Sequence, residues 1–198
     1  MVESESIIPT VFFDSYGDVS LKDNFTIYFN SIVYSYSVDM AMDLLQQVNR
    51  NIAITKLQYP ELSELNVKFI INSPGGEIIQ GLRLFDAIKN NIYPVTTIAS
   101  GEAASMGVVL LVAGKTVKAS ENTTLLIHQL SAGVGGKHSV MKDYMSYYDK
   151  LQDKLISLLV ENSNAKKEDI DNFMKGESFI LAGEAKKLGI IDEVIPTI

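Results

Sequence analysis

Apolar residues along the chain fall into short runs that alternate with segments of helical periodicity. The helical segments carry apolar residues three or four positions apart, as in Ile78, Leu82, Phe85 and Ile88. The short runs have the length and β-branched content of buried strands. The predicted strands are 25–33, 67–72, 95–99, 116–120, 123–129, 178–181 and 190–195; the predicted helices are 37–51, 78–88, a run from Met106, 139–162, 167–174 and 183–188. This regular alternation predicts an α/β fold with largely parallel strands.

The ends of these elements define the predicted domain organisation. Ser37 stands where an N-cap would begin the first helix. Residues 1–24 mix acidic, small and isolated aromatic side chains, which predicts a flexible or partner-dependent segment, with Ile7–Phe13 extended. Residues 25–198 contain no linker and are long enough for one sizeable core, so we expect them to form one domain.

Composition excludes several kinds of chemistry. The 24 acidic and 17 basic residues give a net charge of −7, which disfavours nucleic acid and anionic membranes as partners. The absence of cysteine excludes disulfides, thiolate catalysis and cysteine metal sites, and two histidines are too few for a histidine-rich metal site. No apolar run approaches the ~20 residues that span a bilayer, and the N-terminus lacks a secretory pattern. We expect a soluble, cytoplasmic protein without a metal or cofactor.

Ser105 is the candidate nucleophile because it lies between a predicted strand and the apolar run that begins at Met106. A hydroxyl at a helix N-terminus has unpaired backbone N–H groups beside it, here those of Met106 and Gly107. The SPGG turn one unit earlier offers a second N–H, from Gly75 or Gly76, toward a developing oxyanion. Taken singly, each feature also has a plain structural explanation, as an N-cap or an ordinary turn.

His128, near the end of a predicted strand, is the candidate general base for the Ser105 hydroxyl. A lone strand histidine is more often structural, so the pairing with serine remains a hypothesis at this stage. His138 lies in a polar glycine-rich stretch and is predicted to be a solvated loop residue. A third group should orient the imidazole, and the downstream candidates are Glu177, Asp171 and Asp169, among which spacing does not choose.

Four motifs in a fixed order resemble the proteolytic subunit family of the ATP-dependent Clp protease, ClpP. They are INSPGGEIIQGL (71–82), EAASMGVVLLVAG (102–114), LLIHQ (125–129) and FILAGEAKKLGIIDEVI (179–195). The resemblance covers about residues 25–195. It implies a crotonase-like fold of stacked strand–helix (ββα-type) turns with a long helical handle. It also implies two stacked heptameric rings that enclose the active sites and hydrolyse unfolded polypeptides supplied by an AAA+ unfoldase.

The resemblance also implies roles for individual residues. Ser105 would be the nucleophile, His128 the general base, and the N–H groups of Gly76 and Met106 the oxyanion hole. The family has an Asp two residues before a Phe as its third triad member, and Glu177 occupies that place here, with Asp171 as the alternative. The extra methylene of Glu177 lengthens its reach by ~1.5 Å, which changes how it could meet the imidazole.

Other departures from the family pattern concern assembly and gating. Leu130 follows the His-Gln pair, where the family has Pro, and leads into a glycine-rich segment expected along the substrate cleft and between rings. The resemblance implies docking to an unfoldase, whereas residues 1–24 lack the basic, leucine-containing segment that forms the family's axial gate. Leu181 replaces a Ser or Thr that commonly caps the next helix.

Three functions follow from these observations. The leading one is a serine endopeptidase that hydrolyses unfolded proteins or peptides inside a ring-shaped chamber. The second is a crotonase-type acyl-CoA enzyme, which would share the paired N–H oxyanion hole. The third is a catalytically weakened ring subunit that modulates an active ClpP paralogue, suggested by Glu177 and the unusual N-terminus.

Overall fold

The strands join in one mixed sheet with helices packed on it, in a computed structural model that describes residues 18–62 and 64–196. The strands are β1 (Asp18–Leu21), β2 (Thr26–Asn30), β3 (Val67–Ser73), β4 (Val95–Ala104), β5 (Thr116–Ser120), β6 (Thr124–Ile127), β7 (Ser178–Leu181) and β8 (Glu193–Ile195). The helices are α1 (Ser35–Gln58), α2 (Ile78–Lys89), α3 (Met106–Leu111), α4 (His138–Glu161), α5 (Lys167–Phe173) and α6 (Ala182–Lys187). The predicted α/β class is confirmed.

The strand order is β1-β2-β3-β4-β5-β8, and β6 leaves this path because it pairs with β4 and with β7. The pairs β1–β2 and β6–β7 are antiparallel, whereas the others are parallel, as the alternation predicts. The first part of β4 pairs with β5 and its last part, Glu102–Ala104, pairs with β6. The end of β4 therefore directs the chain toward β6, and Ser105 follows directly.

The core lies between the sheet and the helices, and α3 is at its centre. All six residues of α3 are buried, and the side chain of its first residue, Met106, packs directly against Gly81 of α2. On the sheet, the rings of Phe29 and Phe69 stack with centroids 6.1 Å apart. Each large apolar side chain buried in this way contributes about 1.5–3 kcal/mol. The core thereby fixes the element that begins at Ser105.

The start of α1 corrects one sequence prediction. Tyr34, and not Ser37, is the N-cap residue, and the helix extends to Gln58, well beyond residue 51. Ser37 is buried in the first turn, where its Oγ accepts from the Tyr34 N–H at 3.1 Å and donates to the Ile32 carbonyl at 2.7 Å. The prediction placed the cap three residues too late because a serine at the third helical position can bond back to the cap.

Several boundaries also differ from the predicted ones. The strand β1 pairs with β2, so the sheet begins before residue 25, and β4 continues to Ala104 instead of ending at residue 99. His138 is the first residue of α4 and not part of a loop, although it is exposed as expected. The predicted extended segment Ile7–Phe13 and most of the predicted N-terminal segment lie outside the described residues. Within the described part of the chain, no helix is long and apolar enough to cross a membrane.

Candidate active site

Ser105 occupies a strained turn between β4 and α3. Its backbone has φ 53° and ψ −120°, and it is the one non-glycine residue with positive φ in the part of the chain that the structure describes. The Ser105 N–H donates to the Leu126 carbonyl of β6 at 2.8 Å, and its carbonyl accepts from the Val108 N–H at 3.0 Å. Such strain costs of order 1–3 kcal/mol and persists only where the surroundings hold it. Both neighbouring elements therefore hold the serine at the helix N-terminus, as sequence predicts.

The bulge that precedes Ser105 explains why β4 reaches this turn. Ile71 pairs with Ala99 but Ser73 pairs with Ala103, so β4 contains extra residues between these pairs. Gly101, at φ 91°, lies in the bulge against the side chain of Asn72. The Asn72 Oδ1 accepts from the Glu102 N–H at 3.0 Å. A bulge re-aims the strand that carries it, and here it delivers the chain to Ser105.

The SPGG turn lies directly against the serine turn. A Cβ on Gly75 would lie 2.7 Å from both the Ala104 carbonyl oxygen and the Ser105 Cβ, which leaves room for hydrogen alone. Gly76, at φ 146°, is fixed by a bridge to Val33, whose carbonyl accepts from the Glu77 N–H at 2.8 Å. The two turns proposed from sequence to supply the oxyanion donors are therefore in contact.

A cavity of about 130 Å³ collects the principal site residues predicted from sequence. Ser105, Met106, Gly76 and His128 all line it. Neither the Gly76 N–H nor the Met106 N–H donates to a protein acceptor within the described residues. The remaining wall includes Gln129, Leu130 and Ser131 and the apolar residues Ile78, Val108, Val109, Ile127, Leu155, Leu159 and Met174. The cavity thus combines a hydroxyl, an imidazole and two unpaired N–H donors beside an apolar surface.

His128 follows the last residue of β6 and is half-buried. Its Nδ1 lies 2.7 Å from the Gln129 carbonyl oxygen. A carbonyl oxygen can only accept, so Nδ1 carries the proton and, in the neutral ring, Nε2 has the free lone pair. No hydrogen bond joins His128 to Ser105 in the described structure, and contacts of this kind often tighten only when substrate binds.

The three candidate carboxylates lie in different environments. The β6–β7 pairing ends with Ile127 opposite Ser178, and His128 and Glu177 are the next residues beyond these paired ends. Glu177 is exposed and makes no ion pair in the described chain. Asp171 is held on α5 by Lys167, whose Nζ lies 2.7 Å from each carboxylate oxygen. Asp169 is in the first turn of the same helix. Within the described residues, no hydrogen bond or ion pair joins His128 to any of the three carboxylates.

Gln152 is a polar residue near the site that sequence reasoning missed. Its Oε1 accepts a hydrogen bond from the Leu130 N–H at 2.6 Å, and this bond joins α4 to the segment that follows His128. The available signal was its position: Gln152 precedes the buried Leu155 and Leu159 by three and seven residues, so it shares their helix face. A glutamine on a buried face needs a partner, which the sequence pattern alone does not identify.

Comparison with known proteins identifies the family of the chain. Residues 28–197 match the family described as Clp protease. The ATP-dependent Clp protease proteolytic subunit of Deinococcus radiodurans is 35% identical over 152 residues, which are 76% of this chain and 74% of that protein. The resemblance found in the four sequence motifs is confirmed, and the chain belongs to the Clp protease family.

Proposed function

We propose that the chain is a serine endopeptidase in which Ser105 is the nucleophile and His128 the general base. One observation carries the proposal: the hydroxyl, the imidazole and the unpaired N–H groups of Gly76 and Met106 line one cavity. Family membership supports peptide hydrolysis over the acyl-CoA chemistry that the oxyanion hole alone would also allow.

The mechanism follows from the protonation state of His128. Nε2 takes the proton as Ser105 Oγ attacks the substrate carbonyl, and the two N–H groups stabilise the oxyanion that forms. The leaving amine takes a proton from the imidazolium, and water then hydrolyses the acyl-enzyme. Because the donors are backbone groups of two contacting turns, they are in place before substrate arrives.

We propose Glu177 for the third position, because it directly precedes Ser178, the residue paired with Ile127 next to His128. Asp171 is less suited because its carboxylate is paired with Lys167. In the structure the Gln129 carbonyl, and not a carboxylate, accepts from His128 Nδ1. The exposed carboxylate of Glu177 then acts electrostatically, by stabilising the imidazolium across solvent. A catalytically weakened subunit would result if this contribution proved essential and Glu177 supplied it poorly.

The apolar wall of the cavity suggests which substrates fit. A volume of about 130 Å³ approaches that of a 150 Å³ apolar cavity that accepts benzene, and Leu155, Leu159 and Met174 offer no charge. We infer a preference for a medium-sized apolar residue, such as Leu or Met, before the scissile bond. Peptides with Asp at that position should be cleaved at least tenfold more slowly.

A fluorophosphonate probe tests the nucleophile. Wild-type protein should be labelled and should hydrolyse a fluorogenic peptide, whereas Ser105→Ala should do neither. Ser100→Ala, a serine-to-alanine change on the same strand β4, is the matched control and should behave as wild type. Labelling that persists in Ser105→Ala would remove Ser105 from the mechanism.

Assembly is proposed from the exposed face of α4. Val140, Tyr144 and Tyr147 are 41–48% exposed and lie four and three residues apart, so they form one exposed apolar stripe. A second copy of the chain would cover this stripe, in keeping with the two stacked heptameric rings and helical handle that the family resemblance implies. In sedimentation, Tyr144→Glu with Tyr147→Glu should yield smaller species, whereas Ser146→Glu, on another face, should not. Monomers in the wild type at micromolar concentration would refute the proposal.

Degradation of whole proteins would then depend on a partner. The relative from Deinococcus radiodurans is described as ATP-dependent, and we propose that an AAA+ unfoldase, which would use the ATP, supplies unfolded chains to this subunit. Short peptides should be hydrolysed without ATP, whereas a folded substrate should be degraded only when both the unfoldase and ATP are present. ATP-independent degradation of folded protein would contradict this division of labour.

A further inference from the structure

The peptide unit between Gln129 and Leu130 is bonded at both ends. Its carbonyl accepts from His128 Nδ1 at 2.7 Å, and its N–H donates to Gln152 Oε1 at 2.6 Å. The two groups belong to one planar amide, so fixing the N–H also fixes the direction of the carbonyl. The side chain of Gln152 is thereby connected to the imidazole through a single rigid unit.

This connection determines which ring nitrogen of His128 is available as a base. The Gln129 carbonyl has no proton to give, so it selects the tautomer with Nδ1 protonated and Nε2 free. Bonds in a chain also polarise one another, so the bond at the Leu130 N–H makes the same amide's carbonyl a stronger acceptor. Both effects favour the tautomer that can take a proton from Ser105.

Gln152 is placed to hold this peptide firmly. It lies on the face of α4 that carries Leu155 and Leu159, which line the cavity, and both Gln152 and Leu130 are half-buried. A partly buried N–H that loses its acceptor is costly, which opposes rotation of the peptide away from Gln152. The link also requires an N–H at residue 130, which Leu130 has and a proline would lack.

We propose that Gln152 is a positioning residue that acts through the Gln129–Leu130 peptide to hold His128 in the tautomer with Nε2 unprotonated. Its catalytic consequence rests on the proposed function of His128 as general base. The effect of Gln152 on the His128 tautomer does not depend on that function. In this arrangement the backbone carbonyl performs the orienting task that a buried carboxylate performs in a Ser-His-Asp triad.

Three variants test the proposal. Gln152→Leu removes the acceptor at similar size, Gln152→Glu keeps an oxygen acceptor, and Gln46→Leu makes the same chemical change at an exposed position on α1. The first readout is NMR of isotope-labelled histidine in the assembled protein, where His128 is observed and His138 is the internal reference. The second readout is kcat and KM for a fluorogenic peptide.

We expect wild type, Gln152→Glu and Gln46→Leu to show His128 protonated at Nδ1, and Gln152→Leu to show a mixture of tautomers. In Gln152→Leu, kcat should fall about tenfold with KM within twofold, the loss corresponding to about one hydrogen bond. In a Leu130→Pro background, which lacks the N–H, Gln152→Leu should cause no further loss.

An unchanged His128 tautomer in Gln152→Leu would overturn the proposal, whatever happened to kcat, because a loss of activity would then reflect structure alone. Equal losses in Gln152→Leu and Gln152→Glu would also overturn it. If the wild type had no peptidase activity, the proposed function would fail, while the NMR comparison would still decide whether Gln152 sets the tautomer. Should Leu130→Pro not fold, the glutamine variants alone give the answer.

Discussion

Replacing Gly75 with alanine should disrupt the site without touching any reacting group. Gly75 has φ +92°, and a Cβ there would lie 2.7 Å from the Ala104 carbonyl oxygen and from the Ser105 Cβ. Ordinary contact begins at 3.4 Å, so the two turns must separate by about 0.7 Å. Neither neighbouring atom is the end of a flexible side chain, so the backbone that carries the nucleophile has to move.

The magnitude follows from two separate costs. A left-handed conformation at a residue with a Cβ costs roughly 1–2 kcal/mol, and overpacking costs typically 1–3 kcal/mol. We therefore expect Gly75→Ala to lower the free energy of unfolding by about 2–5 kcal/mol. A misplacement approaching 1 Å between nucleophile and oxyanion donors costs about 10²-fold in rate, so kcat/KM should fall by about that factor.

The assay compares peptide hydrolysis and fluorophosphonate labelling, each expressed per folded protein, with urea unfolding of the same samples. Gly183→Ala is the matched control, because Gly183 lies in α6 with no atom within 4 Å of the added Cβ. This control should leave labelling unchanged and raise stability by about 0.5–1 kcal/mol, the usual gain for Gly to Ala in a helix. A folded Gly75→Ala protein whose labelling rate stays within twofold of wild type would refute the packing argument.

Three further predictions concern strain, the carboxylates and pH. Ser105→Gly should be more stable in urea than Ser105→Ala by about 1–2 kcal/mol, since glycine accepts φ 53° without strain; equal stabilities would mean that the turn is relaxed. Glu177→Gln should lower kcat/KM by less than about tenfold, as expected for an exposed charge, and Asp171→Asn should leave it unchanged, whereas a loss near 10⁴ in Glu177→Gln would show that this carboxylate orients the imidazole. The Lys118 ammonium, by a hydrogen bond and by its charge, holds the pKa of Glu193 below its ordinary value. A carboxylate whose pKa is lowered by folding stabilises the folded state at pH values above its ordinary pKa. This stabilisation is lost as the pH falls through the lowered pKa. Urea unfolding of wild type and Glu193→Gln should therefore differ at neutral pH and converge in acid, and a difference that grows in acid would contradict this sign.

The sequence predicts the strands from β2 onward, the buried helix α3, and Ser105, His128, Gly76 and Met106 as residues of one site, because each depends on local patterns. Ser105 was located by the change from strand to apolar run, and the SPGG turn by its glycines. Periodicity reports burial along one segment, and glycine reports where the backbone must turn tightly or approach closely. Those signals suffice to identify Ser105, the proposed nucleophile, and the two turns.

The parts that sequence did not predict depend on contacts between distant segments. β4 pairs first with β5 and then with β6, and this change of partner depends on strands that lie later in the chain. Gln152 acts on a peptide 22 residues away in the chain, and its partner is a backbone N–H that any residue except proline provides. The choice between Glu177 and Asp171 likewise needed the register of β6 with β7.

The complete burial of α3 ties the nucleophile to the cooperative core of the fold. The hydrogen-bonded amide protons of such a buried helix exchange with solvent mainly through openings of the surrounding core, whereas the Met106 N–H, which has no acceptor in the described chain, faces the cavity. Ser105 acquires its geometry from this helix and from β6 together, so a nascent or partly denatured chain has a serine but no assembled catalytic group. Proteolytic capacity would then appear at the final stage of folding, and an incompletely folded subunit would be harmless to its neighbours.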